Sequence, residues 1–337
     1  MNWKKYSSQT KIFSFLILFA LASNLSSDIE DNIALHKEQF SEVALKIWEY
    51  AELGYQETKS SNLLASELEK EGFKITKRVA GIPTAFVAEF GSSGPVIGIL
   101  GEFDALPGLA QTNSPFKEVA INDSGGGHAC GHHLFGAASA WAAVSIKEWL
   151  VENDIEGTVR FYGTPAEEGG SGKVYMVREG LFDDVDVVLH WHPDDVNSAN
   201  PKTSNSNKSA KFTFKGISAH AAGSPELGRS ALDGVEAMNM MVNLMREHIP
   251  QESRMHYVIT KGGLAPNVVP DLAEVYYYVR HPEMKVVEEL FQRVVKTAEG
   301  AARGTETKMT YEVMHGNYSL LPNDNIQKLM HKNLQSF

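Results

Sequence analysis

Hydrophobic positions in the first half of the chain alternate between helical and strand spacing. Apolar residues at helical spacing predict a helix within residues 32–56 and a second one at Ser60–Glu71. The β-like runs that follow are Ile75–Val79, Ala85–Phe90, Val96–Gly101, Thr158–Tyr162 and Val185–Leu189. Two further helices are predicted between these runs, at Leu134–Val151 and near Val174–Glu179. Strands that alternate with helices indicate an α/β sheet with helices on its faces.

A polar segment, Asp194–Ser209, ends this pattern and predicts a linker. The elements after it are the strand Ala210–Lys215, the helix Arg229–His248, the strands Met255–Lys261 and Ala273–Arg280, the helix Val286–Arg303 and the strand Thr307–Met314. Their order is β-α-β-β-α-β, the ferredoxin-like unit. We therefore expect residues 209–315 to form a second domain that interrupts the first. The first domain would then comprise residues 30–200 and an amphipathic helix within 316–337.

The first 22 residues have the features of a signal peptide. Lysines precede an apolar run, Ile12–Ala22, which ends in an A-x-A cleavage pattern. The run is too short to span a bilayer, which needs about 20 residues. An uncleaved anchor is the alternative. We expect cleavage near Ser23, an exported protein in the periplasm or outside the cell, and no membrane association after cleavage.

Composition narrows the range of functions. In 337 residues, 42 acidic side chains outnumber 31 basic ones, so a uniform nucleic-acid-binding surface, which needs a basic excess, is not expected. The expected partner is a small molecule instead. Cys130 is the single cysteine, so an internal disulfide is excluded although the protein is expected to be exported. Its thiol therefore needs another role.

The segment G-G-G-H-A-C-G-H-H, residues 125–133, concentrates candidate metal ligands. It places His128, Cys130, His132 and His133 on a glycine-rich loop ahead of a helix. Thiolate and imidazole are the ligands that zinc-like ions prefer, and Cys-Gly-His can direct two side chains at one point. Two alternatives stay open: a surface loop with incidental histidines, and a free reactive thiol.

Two further motifs follow predicted strands. In G-T-P-A-E-E-G-G, Glu167 and Glu168 can divide the work, because one can bind metal while the other acts as a general base. An acidic helix N-terminus is the alternative for this pair. In D-V-V-L-H-W-H-P, His190 and His192 lie two apart on a predicted strand and hence on one face. Both could be core histidines, but near a Cys-x-His loop we expect one of them to be a ligand.

A carboxylate in G-E-F-D-A-L-P, after the strand Val96–Gly101, can orient a ligand imidazole by a hydrogen bond. Asp104 is the candidate, and simple turn chemistry is the alternative. The four motifs, all at predicted strand ends, together predict a metal site.

With G-I-S-A-H-A-A-G-S-P-E-L-G-R-S-A-L-D and P-N-V-V-P, these motifs resemble the co-catalytic dimetal peptidase family of aminoacylases, hippurate hydrolases and auxin-conjugate hydrolases. The resemblance is strongest to its p-aminobenzoyl-glutamate hydrolase branch and runs from about Asn32 to the end. It implies a zinc-peptidase-like catalytic α/β sheet domain with an inserted ferredoxin-like lid or dimerisation domain. It also implies two divalent metal ions, zinc or manganese, and a homodimer through the lid. The implied reaction is hydrolysis of the amide of N-acyl or N-aroyl amino acids such as p-aminobenzoyl-glutamate, with dipeptides as alternative substrates.

The resemblance also implies a role for individual residues. The positions that match metal ligands are Cys130, His132, Glu168 and His192. Glu167 matches the general base. The positions that match substrate-contacting groups of the lid are His220, Asn267 and Arg280.

The chain departs from the family pattern in two places, of which the first is tolerable and the second changes the expectations. His133 stands where many relatives have aspartate. The family's last metal ligand is a histidine near the C-terminus of a longer chain, so we expect the final catalytic segment to be missing and the chain alone to show little amidase activity. A catalytically inactive, dimerising fragment and a metal-scavenging exported protein are therefore alternative functions.

Overall fold

The computed structural model describes residues 29–121, 124–199 and 202–336. The predicted signal peptide, residues 1–22, lies outside the described residues. The chain forms two compact units, of which the first ends at Asp195 and the second begins at Val196. No helix in the described part of the chain is long and apolar enough to cross a membrane.

The first unit alternates helices and strands, as the hydrophobic pattern predicts. Its helices are α1 (Lys37–Tyr50), α2 (Thr58–Lys70), α3 (His132–Glu152), α4 (Glu167–Gly170) and α5 (Gly172–Arg178). Its strands are β1 (Lys74–Lys77), β2 (Phe86–Phe90), β3 (Val96–Gly101), β4 (Leu106–Pro107), β5 (Gly126–Gly127), β6 (Thr158–Gly163) and β7 (Val187–Leu189). The predicted α/β class is confirmed.

Five strands form the main sheet in the order β1-β2-β6-β3-β7. The strands β1, β2 and β6 pair antiparallel, whereas β6, β3 and β7 run parallel to one another. Parallel strands are covered on both faces and therefore form continuous apolar runs, such as V-I-G-I-L-G in β3. The parallel part of the sheet places the carboxyl ends of three neighbouring strands at one edge.

Two cores cover the faces of this sheet. Successive residues of β6 belong to different cores, because Phe161 packs with α1, α2 and α3 whereas Tyr162 packs with Met176 of α5. Both side chains are fully buried. Burial of side chains of this size stabilises the fold by about 1.5–3 kcal/mol each. The cores therefore fix the strand ends on which the candidate site is built.

The second unit is a four-stranded antiparallel sheet with two long helices. Its elements are β8 (Ser206–Lys215), α6 (Ala231–Met245), β9 (Arg254–Lys261), β10 (Leu272–His281), α7 (Met284–Gly304), β11 (Lys308–Asn317) and α8 (Asp324–Leu334). The strand order β11-β8-β10-β9 is that of a ferredoxin-like unit. The predicted β-α-β-β-α-β order is confirmed. A separate core, which includes Phe212, Tyr277 and Phe291, stabilises this unit.

Two boundaries differ from the prediction. The polar residues 206–209, predicted as linker, begin strand β8, because they pair with β10 and β11 on either side. The segment after β11 packs with the second unit rather than the first. The backbone N–H of Ser319 donates to Oγ of Ser206 at 2.8 Å, and Oγ1 of Thr203 donates to the carbonyl of Leu320 at 2.7 Å.

Candidate metal centre

The candidate site lies at the carboxyl edge of the three parallel strands in the first unit. The segments that follow these strands carry the candidate side chains: Glu102–Asp104 after β3, Glu167–Glu168 after β6 and His190–His192 after β7. Binding and catalytic groups of open α/β sheets typically lie at this edge. The sheet order β6-β3-β7 makes the three segments neighbours although they are far apart in sequence.

Helix α3 brings the fourth segment to the site. It begins at His132, and Gly131 before it has a φ of 80°, in the left-handed region that favours glycine. A Cβ at Gly131 would lie only 2.8 Å from Cβ of Pro193. Glycine therefore allows the loop that carries Cys130 to approach the segment after β7.

His132 is the buried centre of the site, with no exposed surface. Its Nδ1 lies 3.0 Å from both the carbonyl oxygen and Oδ1 of Asp104. Because both partners are acceptors, Nδ1 carries a hydrogen, and in the neutral imidazole Nε2 keeps its lone pair. Asp104 therefore orients the ring in the way that carboxylates orient metal-ligating histidines.

Cys130 and His192 approach each other beside His132. Sγ of Cys130 lies 3.4 Å from Nε2 of His192, whose Nδ1 donates a hydrogen bond to the carbonyl of Pro193 at 2.9 Å. The candidate ligand atoms of Cys130, His132 and His192 all lie within 4.8 Å of one another. One sulfur and two imidazole nitrogens at this spacing are a donor set that suits a zinc-like ion.

His190 has different neighbours from His192. The pairing of β7 with β3 stops at Leu189, so both histidines lie after the strand, whereas the sequence predicted them on it. Nε2 of His190 lies 3.7 Å from Oε1 of Glu102. The prediction that His190 and His192 share a strand face is therefore wrong.

Glu167 and Glu168 both reach the site, with different exposure. Oε2 of Glu167 lies 3.8 Å and Oε1 of Glu168 lies 3.9 Å from Nε2 of His132. The side chain of Glu167 is 46% exposed and that of Glu168 is 18% exposed. The backbone N–H of Glu168 donates to Oδ2 of Asp104 at 2.9 Å, so one carboxylate fixes both His132 and the acidic pair.

A residue that the sequence reasoning missed, Glu57, holds the turn before the acidic pair. Ala166 has a left-handed φ of 57°, which is strained for a residue with a Cβ. Its backbone N–H donates to Oε1 of the fully buried Glu57 at 2.8 Å, and Oγ1 of Thr84 donates to Oε2 at 2.9 Å. Burial raises the pKa of Glu57 to about 7. No local signal marks this contact, because Glu57 and Ala166 are distant in sequence.

Glu102 is a second missed residue, and it lies closer to the centre. It is 2% exposed, and its Oε2 lies 3.0 Å from Nε2 of His132. Nζ of Lys173 contacts its other oxygen, Oε1. The motif G-E-F-D-A-L-P contains both carboxylates, but the prediction names only the second one, Asp104.

The remaining histidines of the 125–133 segment have structural neighbours. Nε2 of the buried His128 donates to the carbonyl of Ile47 at 3.0 Å. The ring of His133 packs edge-on against Trp48, with 4.8 Å between centroids. Among the described residues, neither histidine belongs to a group with metal-ligand spacing. The cluster of three histidines and one cysteine in the sequence thus splits into two metal-site candidates, Cys130 and His132, and two packing residues.

The charges of the site favour bound cations. Burial lowers the pKa of His132, but the neighbouring carboxylates of Asp104 and Glu102 outweigh burial and raise the pKa to about 10. Burial raises the pKa of Glu168 to about 7 and that of Cys130 to about 12, and neighbouring carboxylates add to both shifts. A cation at this position would stabilise the charged carboxylate and thiolate forms.

Three buried polar atoms of the site make no hydrogen bond within the described part of the chain: Oε2 of Glu102, Nε2 of His132 and Oε1 of Glu168. Buried polar atoms without partners are uncommon in folded proteins and call for an explanation such as an ion. Thiolate, imidazole and carboxylate together are ligands of zinc, and imidazole with carboxylate also suits manganese. The residues present therefore fit a divalent metal centre.

Comparison with known proteins decides the family. Residues 98–335 match the model of peptidase family M20/M25/M40. The chain belongs to this family. The family assignment agrees with the resemblance that the sequence motifs indicate, and it covers both units of the fold.

Individual members of the M20/M25/M40 family are similar over most of the chain. The chain is 46% identical over 310 residues to a subunit of the p-aminobenzoyl-glutamate hydrolase of Escherichia coli, covering 92% of this chain and 64% of that protein. It is 31% identical over 300 residues to mouse Xaa-Arg dipeptidase, covering 85% of this chain and 65% of that protein. The chain thus spans less than two thirds of the length of these relatives.

A solved structure shows the same fold. The crystal structure of the Bacillus subtilis YXEP protein, a member of the M20 family, matches with a TM-score of 0.58 at 24% sequence identity. The match covers 88% of this chain and 78% of that one. The mixed α/β sheet and the ferredoxin-like unit are therefore features of a known family fold.

Three predicted substrate-contacting residues lie in the second unit. Nδ1 of His220 accepts the backbone N–H groups of Ala222 and Gly223 at 3.2 and 3.0 Å, so its hydrogen is on Nε2 in the neutral ring. The carbonyl of Asn267 accepts from the backbone N–H of Ala221 at 3.0 Å, which joins the loops of His220 and Asn267. Arg280 lies near the other end of β10, with its guanidinium 4.9 Å from the centre of the Tyr278 ring. Within this unit the structure brings His220 close to Asn267 but not to Arg280.

Proposed function

We propose that this chain is a metal-dependent amidohydrolase that cleaves the amide of N-acyl or N-aroyl amino acids. The observation that carries the proposal is the convergence of Cys130, His132 and His192 within 4.8 Å, beside Glu167 and Glu168. The similarity to the Escherichia coli p-aminobenzoyl-glutamate hydrolase supports p-aminobenzoyl-glutamate as the first substrate to test.

The proposed metal ligands are Cys130, His132, Glu168 and His192, and the proposed cofactor is a pair of divalent ions, zinc or manganese. The Bacillus subtilis relative described as a dinuclear metal binding peptidase supports the number of ions. When bound, the ions polarise the scissile carbonyl and lower the pKa of a water molecule. The strand ends position the imidazoles and carboxylates of this chain that would hold the ions.

Glu167 is the proposed general base. Its side chain is more exposed than that of Glu168, so it can meet a water molecule without leaving the site. Burial raises the pKa of Glu167, which makes its carboxylate a stronger base. Glu167 takes a proton from the attacking water and passes it to the amine nitrogen as the C–N bond breaks.

The second unit would supply substrate contacts and the dimer interface. His220 carries its hydrogen on Nε2, which suits donation to an oxyanion, and Asn267 adds a further polar substrate contact. Arg280 is the proposed partner of the substrate carboxylate, because a guanidinium can bind a carboxylate through two hydrogen bonds. We also propose a homodimer through this unit, whose edge strands are β9 and β11, and export directed by the N-terminal segment.

A hydrolysis assay tests the proposal on the 337-residue chain, loaded with zinc or manganese or stripped by a chelator. The substrates are p-aminobenzoyl-glutamate, hippurate and an Xaa-Arg dipeptide. The proposed reaction predicts that the loaded chain releases p-aminobenzoate and that the stripped chain does not, whereas the alternative of an inactive, dimerising chain predicts little release in either state. Bound metal without hydrolysis of any of the three substrates would contradict the proposed reaction.

A dipeptidase is the second candidate function, because mouse Xaa-Arg dipeptidase is 31% identical to this chain. The same assay separates the two. Faster cleavage of the dipeptide than of p-aminobenzoyl-glutamate would favour the second candidate.

A further inference from the structure

Glu102 is a buried carboxylate at the candidate metal centre, and its charge needs an explanation. Its side chain is 3% exposed and lies between His132, Lys173 and His190. Burying a carboxylate is costly unless it is paired or binds a metal. Lys173 contacts Oε1, which leaves Oε2 without a hydrogen bond among the described residues.

The oxygen of Glu102 that makes no hydrogen bond faces a nitrogen of His132 that also makes none. Oε2 of Glu102 lies 3.0 Å from Nε2 of His132, and neither atom has a hydrogen-bond partner in the described part of the chain. Two ligand atoms that each lie about 2.0–2.2 Å from one ion are roughly 2.8–3.6 Å apart at bond angles of 90–110°. The observed separation falls in this range. Glu102, His132 and Glu167 also form a group whose candidate ligand atoms all lie within 4.8 Å of one another.

Lys173 and His190 fix which oxygen can act as the ligand. Nζ of Lys173 and Nε2 of His190, the latter at 3.7 Å, both lie on the side of Oε1. Their position leaves Oε2 to face His132 and keeps the carboxylate from rotating. Such a carboxylate is preorganised to bind one ion through a single oxygen.

We propose that Glu102 is itself a metal ligand and binds, through Oε2, the same ion as Nε2 of His132. This inference rests on the metal centre of the proposed function and adds to it a ligand that the sequence motifs did not indicate. The competing role is that of a counter-ion, in which Glu102 only offsets the charge of a protonated His132 and never touches the metal. The two roles make different demands on side-chain length, because a ligand must reach the ion whereas a counter-ion need only be near.

Cobalt(II) titration of the purified chain distinguishes these roles, because the d–d absorption of cobalt reports the atoms bound to it. The variants are Glu102→Gln, which removes the charge, and Glu102→Asp, which keeps the charge but shortens the reach by one methylene. Glu89→Gln is the matched control, since Glu89 is a carboxylate of the same unit that pairs with Arg160 at 2.7 Å and belongs to no group with metal-ligand spacing among the described residues. Circular dichroism confirms that each variant folds.

We expect two cobalt ions per chain in the wild type and in Glu89→Gln. Both Glu102 variants should bind one of the two ions about 100-fold more weakly or lose it, with changed d–d bands. Unchanged bands in Glu102→Asp, or a loss of affinity with an unchanged spectrum in Glu102→Gln, would overturn the ligand role and leave the metal centre standing. If Glu102→Gln does not fold, Glu102→Asp carries the test alone. A wild-type chain that binds no cobalt would overturn the metal centre and this inference together.

Discussion

At the scale of single residues, the site depends on side chains with two partners each. Asp104 orients His132 through one oxygen and accepts the backbone N–H of Glu168 through the other. The sequence predicted Asp104, Cys130, His132 and the two glutamates from motifs that follow strands. It did not show that Glu102 as well as Asp104 contacts the imidazole of His132, because two carboxylates two apart after one strand give no indication of which atoms they face. No local pattern could have found Glu57, since it precedes helix α2 whereas its partner Ala166 follows strand β6, 109 residues away.

Substitution of the acidic pair separates its proposed roles. Glu167→Gln should retain metal and lose activity by about 100-fold or more, because general-base catalysis contributes on this scale. Glu168→Gln should instead weaken metal binding, since an amide is a poorer ligand than a carboxylate. Metal content and hydrolysis rate, measured on the same samples, check both expectations. Equal metal loss in the two variants would refute the division of roles.

At the scale of elements, a polar contact far from the site joins the start of α1 to α3. His36 precedes α1, and its Nε2 lies 2.9 Å from Oε1 of Glu148 in α3. Its Nδ1 lies 3.0 Å from the side-chain oxygen of Gln39. Glu71 is a second carboxylate in the same surroundings. Nζ of Lys147 lies 3.9 Å from a carboxylate oxygen of Glu71 and 3.9 Å from one of Glu148. The helical pattern predicted α1 and α3, but a contact between their side chains needs the three-dimensional fold.

This contact predicts a pH dependence of stability. Burial lowers the pKa of His36, but hydrogen bonds to Gln39 and Glu148 and the charges of Glu148 and Glu71 outweigh it and raise the pKa above 6.5. Because the folded pKa is raised, the stabilisation is complete below pH 6.5 and is lost as the pH rises through the folded pKa. His36→Gln should therefore cost about 1 kcal/mol or less at about pH 5.5, and nearly nothing at about pH 9.

Urea unfolding of wild type and His36→Gln at both pH values measures this difference. His331→Gln, at an exposed position of α8, is the matched control and should show the same small effect at both pH values. A destabilisation by His36→Gln that is larger at the higher pH than at the lower one would contradict the assigned ion pair.

At the scale of the whole molecule, the chain has two units with separate cores, and hydrophobic spacing predicted both. The ferredoxin-like unit was predictable because each of its six elements has the periodicity of its final structure. The boundaries were less predictable, since the polar residues 206–209 form a strand only by pairing with two distant strands. The parallel edge of the first unit was predictable as a place for a site, whereas the partners of each side chain within it were not.

Divalent-metal binding at this edge is the central claim, and an anomalous difference map at the zinc absorption edge, from crystals of the zinc-loaded chain, tests it most directly. Peaks should lie within about 2.0–2.3 Å of Sγ of Cys130 and of Nε2 of His132 and His192. Zinc bound only elsewhere on the chain, with these three atoms making no contact to it, would contradict the claim.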